Sequence, residues 1–121
     1  MRLSKDRISL YEVARKIFEE ATTAALGSTC NTVITFHLEK RFGRDPCEVF
    51  VEDPRAFYVA LEEIFGAGAD SIVSLVGSYL VRKYGISYTP ERFVSFVVTG
   101  DESSRHKLKE ILSRVANQTE N

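Results

Sequence analysis

The stretch HLEKRFG, His37–Gly43, is echoed 42 positions later by YLVRKYG, Tyr79–Gly85. Leucine, a basic pair, an aromatic and a glycine recur in the same order: Leu38, Lys40, Arg41, Phe42 and Gly43 against Leu80, Arg82, Lys83, Tyr84 and Gly85. Both copies read as one helix ending used twice. Glycine takes the left-handed conformation that stops a helix. The basic pair faces the negative end of the helix dipole, a contribution of about 0.3–1 kcal/mol per charge. Leucine and aromatic fall i,i+4 on one apolar stripe. Upstream, IFEEA (Ile17–Ala21) resembles ALEEI (Ala60–Ile64) at an offset of 43. Each half therefore reads as one helical hairpin, although two copies are too few for a repeat array.

Working outward, a helix is expected from Ser9 to Leu26. Ser9 and Glu12 have capping-box spacing, and Leu10, Ala14, Ile17, Ala21 and Ala24 share a face. A second helix, Thr29 to Phe42, carries Ile34, Leu38 and Phe42 on one stripe, widened by Val33, Phe36 and His37, with Ser28 or Asn31 as cap. The connection GRDPCEVFVEDP, Gly43–Pro54, follows, with Val49, Phe50 and Val51 briefly extended but lacking a partner strand. Asp53-Pro54 is a cap followed by proline at the first helical position, which starts a third helix to Phe65. GAGAD, Gly66–Asp70, turns the chain into a fourth helix, Ala69 to Tyr84, with Ser71, Ser74, Ser78 and Arg82 along a polar stripe. Gly77, in its middle, marks a close helix crossing.

Thr89-Pro90 repeats the cap-and-proline device. RFVSFVV, Arg92–Val98, suits a strand by its β-branched content, yet Phe93, Phe96 and Val97 fit one helical face; the favoured reading is a short helix ending near Gly100. Asp101 caps a last amphipathic helix over about 101–117, leaving 118–121 as a frayed tail. The result is a single all-α domain of five to six helices: two successive helical hairpins over about 8–100, then the C-terminal helix.

The totals exclude several classes. With 121 residues, 44% apolar and 27% charged, the chain is one ordinary globular domain. A net charge of −1 argues against a protein that coats nucleic acid. The opening MRLSKDRISLYEV holds no apolar core of leader length, and the longest apolar run, Ile72–Val81, is broken by Ser74, Gly77 and Ser78. A cytoplasmic, membrane-free protein is expected, with Cys30 and Cys47 as free, partly buried thiols.

Chemistry is sparse. His37 borders the apolar stripe and His106 lies on a polar face; neither has the i,i+4 partner of a helical metal site. Glu19-Glu20 and Glu62-Glu63 are adjacent on helices and diverge by about 100°. GAGAD lacks the third glycine and the preceding strand of a dinucleotide motif, and no nucleophile elbow occurs. A non-enzymatic role without cofactor is expected.

From His37 to Ala69, HLEKRFG…ALEEIFGAGA resembles a family of small archaeal helical domains, the fifth Nitrosopumilus-type output domain. Its pattern is a helix ending in Tyr/His-Leu-Glu-Lys-basic-aromatic-Gly, a proline-containing linker, then Leu-Glu-x-Ile-Phe-Gly-x-Gly-Ala and a helix closing on basic-aromatic-Gly. Here these correspond to His37–Gly43, Leu61–Ala69 and Arg82–Gly85, and the likeness covers roughly Ile8 to Pro90. It implies a signal-output or interaction role and no catalytic residue. The chain departs from it by lacking a sensor module and by adding the helix after Gly100.

The leading expectation is a self-associating interaction module, a homodimer or a binder of another protein. Its contact would be the narrow stripe Leu108, Ile111, Leu112 and Val115. The alternative is a small nucleic-acid-binding regulator with Lys40, Arg41, Arg44, Arg82 and Lys83 on phosphates.

Overall fold

The structure, a computed structural model, describes residues 9–120. The leader reading of Met1–Ile8, the start of the expected core at residue 8, and Asn121 of the expected tail lie outside these residues. Among the described residues there are seven α-helices and no strand. They are α1 Leu10–Leu26, α2 Ser28–Phe42, α3 Pro46–Glu52, α4 Pro54–Phe65, α5 Gly68–Tyr79 running on through a π turn Leu80–Tyr84, α6 Pro90–Thr99 and α7 Glu102–Glu120.

The starts follow the caps. Ser9 accepts the Glu12 N–H, Asp53 that of Ala56, Thr89 that of Arg92, and Asp101 that of Ser104. Each satisfies a backbone donor the helix cannot. The echo resolves as expected: Gly43 and Gly85 both stand in the left-handed region, at φ 69° and 63°. Leu38 and Leu80 are buried, and both basic pairs are exposed.

Three expectations need correction. The count of five to six helices misses α3, because Val49-Phe50-Val51 is helical rather than extended. Asp45-Pro46 is the same starting device as Asp53-Pro54, and Asp45 Oδ1 accepts the Cys47 N–H at 2.9 Å. Burial of Cys47, Val49, Phe50 and Val51 around most of this seven-residue helix overrides β propensity here. Next, the tail expected to fray at 118–120 is helical; Gln118 Nε2 donates to the Tyr84 carbonyl at 2.8 Å and ties the end of α7 to the π turn. Finally, Leu108, Ile111, Leu112 and Val115 are all buried in the chain's own core. Helix α7 packs on α1, α3 and α6, so the stripe meets intramolecular partners and offers no surface for a second chain.

Helix α1 is the hub, touching α2, α3, α5 and α7, and the hairpin partners α1/α2 and α4/α5 do pack together. Phe50 of α3 anchors an aromatic cluster: its ring stands 5.0 Å from Phe18, 5.3 Å from Phe57 and 6.5 Å from Phe93. The first two are edge-on pairs, which add about 0.5–1.5 kcal/mol each to area burial. The α5/α6 crossing is close at Gly77, where a Cβ would lie 3.1 Å from the Phe93 ring and 3.2 Å from Pro90 Cα.

Candidate functional site

Helix α2 departs from the one-faced pattern of a surface helix. Ile34 and Leu38 point into the core, while Val33 and Phe36, three apart on the other side, are 45% and 56% exposed. Leu26, just before α2, is 45% exposed. Cys30, His37 and Lys40 continue the outward side of α2. The His37 ring stands edge-on to Phe36 and Phe65, and the Lys40 ammonium lies 5.9 Å from the Phe36 ring centre.

Beside this helix a cleft of about 610 Å³ opens among α1, α2, α3, α4 and α5. Its floor is apolar: Phe18, Ile34, Leu38, Phe57, Leu61 and Ile72. Its rim is polar, with Arg15, Glu19 and Thr22 from α1, Asn31, Thr35 and Glu39 from α2, and Asp45 ahead of α3. Arg15 is ion-paired to Asp45 Oδ2 while Asp45 Oδ1 caps α3. One carboxylate thereby holds α1 and α3 together. The buried Thr22 hydroxyl is 2.7 Å from both the Phe18 carbonyl and Asn31 Oδ1. Its single proton serves one of these two acceptors at a time. Cys47 lies in the cleft wall, and burial pushes its thiol up to about 12. It is an inert core thiol, whereas Cys30, also expected to be partly buried, is exposed.

A second polar cluster joins α1 to α5. Glu20 Oε1 accepts from Tyr79 at 2.8 Å and from Tyr84 at 3.2 Å. Tyr58 donates to Asp70 at 2.5 Å. Burial, then the Glu20 bond, pushes Tyr79 up to about 12; the Asp70 bond, then burial, does the same to Tyr58; Tyr84 is raised by burial and Glu20. A phenol whose folded pKa exceeds its unfolded value of about 10 holds its proton more tightly when folded. Its stability contribution is complete below about pH 10 and is lost as pH climbs toward 12. Urea melts at pH 9 and pH 11 should therefore show a lower midpoint at pH 11, and Glu20→Gln should shrink that difference.

The sequence-derived candidates fall as follows. Arg41 pairs with Glu63 at 2.9 Å, and Arg44 with Glu48 and Glu52 at 3.0 and 3.1 Å. Lys40, Arg82 and Lys83 make no ion pair among the described residues; Lys83 lies 5.9 Å from the Tyr84 ring. The acid pairs separate: Glu19 faces the cleft while Glu20 takes the two tyrosines, and Glu63 takes Arg41 while Glu62 is exposed. His106 is exposed. Among the described residues no three His, Cys, Asp or Glu side chains gather as a metal site, and no helix is long and apolar enough to cross a membrane. No motif along the chain announces the cleft; its one signal in the sequence is the pair of apolar sides on α2.

Comparison of the chain with family models, curated proteins and solved structures finds no match.

Proposed function

We propose that the chain is a non-enzymatic, self-associating helical module of a regulatory, signal-output kind in the cytoplasm, and that its contact surface is the outward side of α2. The observation that carries this reading is that, among the described residues, the large exposed apolar ones, Leu26, Val33 and Phe36, all fall between positions 26 and 36. Apolar exposure concentrated at the end of α1 and along α2 marks an interaction surface, whereas scattered singles do not. The likeness of His37–Gly43 and Leu61–Ala69 to the output-domain family supports the regulatory part. The occupant proposed is a second copy of the chain, with the two α2 helices lying across each other. Val33 and Phe36 then meet their equivalents, as a self-complementary two-fold contact requires.

Light scattering after size exclusion tests it. The full chain should be a dimer at tens of micromolar, about the range of a small interface, and Val33→Glu should return it to monomer with its helical spectrum intact. A wild-type monomer throughout that range, or a Val33→Glu dimer, sinks the proposal. The nucleic-acid alternative has less support, since Arg41 and Arg44 are already held by carboxylates.

A further inference from the structure

We infer that the cleft beside α2 is a binding site for an organic cation with an apolar body, a substituted or quaternary amine. Its volume of about 610 Å³ lies within the range of small-molecule sites, which combine an apolar lining with a few polar groups. Two features select charge. The first is aromatic: Phe18, Phe36 and Phe57 all line the cleft, and ring faces attract cations whose hydration is weak. The second is electrostatic. Arg15 is neutralised by Asp45, while Glu19 and Glu39 line the same cleft without an ion pair among the described residues. The lining therefore carries two carboxylates that make no ion pair among the described residues, above an apolar floor that rejects small hydrated ions; Lys40, whose ammonium lies over the Phe36 ring, does not line the cleft. An anion would meet both carboxylates. A neutral apolar molecule would leave them unused, and an inorganic cation would find no multidentate oxygen cage.

The probe is benzyltrimethylammonium, titrated into the full chain and followed by amide chemical shifts, with benzyl alcohol as the uncharged aromatic control. Saturable shifts at Thr35, Phe36 and Glu39 are expected, with a Kd of about a millimolar or below. Benzyl alcohol should bind at least about tenfold more weakly, and Glu19→Gln/Glu39→Gln should weaken the cation by a similar factor. Both glutamates are exposed, so the double variant keeps its fold, which its own spectrum reports. Absence of saturable shifts overturns the inference, as does equal binding of benzyl alcohol or unchanged affinity in the double variant. Repeating the titration in Val33→Glu separates this site from self-association, because Val33 does not line the cleft. Binding retained by a monomeric variant leaves the site standing whatever becomes of the dimer.

Discussion

Phe50→Ala is expected to lower stability by about 3–5 kcal/mol, the range for truncating a buried phenylalanine. Phe50 is 2% exposed and lies in ring contact with Phe18, Phe57 and Phe93, so removing it takes one wall from three neighbours at once. A chain of this size holds roughly 0.05–0.15 kcal/mol per residue in total, and the loss is a large part of that. At about 4 °C per kcal/mol, the melting temperature should fall by about 12–20 °C, read as helix signal against temperature. Phe50→Leu, which keeps most of the volume, should cost far less, about 1–2 kcal/mol. Should alanine cost under about 1 kcal/mol, α3 does not dock through Phe50.

Gly100→Ala should be the most damaging glycine replacement, by about 2–5 kcal/mol. Two penalties act together. Gly100 has φ 61° and caps α6 in the left-handed region, where a Cβ costs about 1–2 kcal/mol. That Cβ would also lie 2.6 Å from Arg55 Cβ and 3.0 Å from the Arg55 backbone nitrogen, an overpacking of about 1–3 kcal/mol. Arg55 has little freedom to withdraw, because it sits on α4 and its guanidinium donates to the Val98 carbonyl at 2.6 Å. Gly43→Ala is the matched control: φ is 69° and a Cβ meets nothing within 4 Å. It should show the conformational cost alone. Equal losses in the two variants, measured by urea melts, would mean that α4 and the end of α6 are not in contact at Gly100.

The parts of the fold readable in advance are those written locally. Ser9, Asp53-Pro54, Thr89-Pro90 and Asp101 announce helix starts through a side chain and its neighbour two or three positions on. Gly43, Gly85 and Gly100 announce ends through a backbone conformation. The misreadings arise where the deciding contact is distant. Val49-Phe50-Val51 has strand-like composition, and only docking of Phe50 between α1, α4 and α6 makes it helical. The stripe on α7 is apolar whether it meets its own chain or another, since periodicity records that a face is buried and not what covers it. Glu20 is 59 and 64 positions from the tyrosines it binds, and no pattern along the chain announces that pairing. The cleft is still less legible. It is a shape left between five helices, and only the second apolar side of α2 hints at it.

The seating of α7 against α1 joins the two ends of the described chain. Without α7, Ile17, Phe50 and their neighbours have no lid, and the chain shows water an apolar face that the finished protein never does. A chain stopped at Gly100 would be held in that state, prone to associate through the face α7 should have covered.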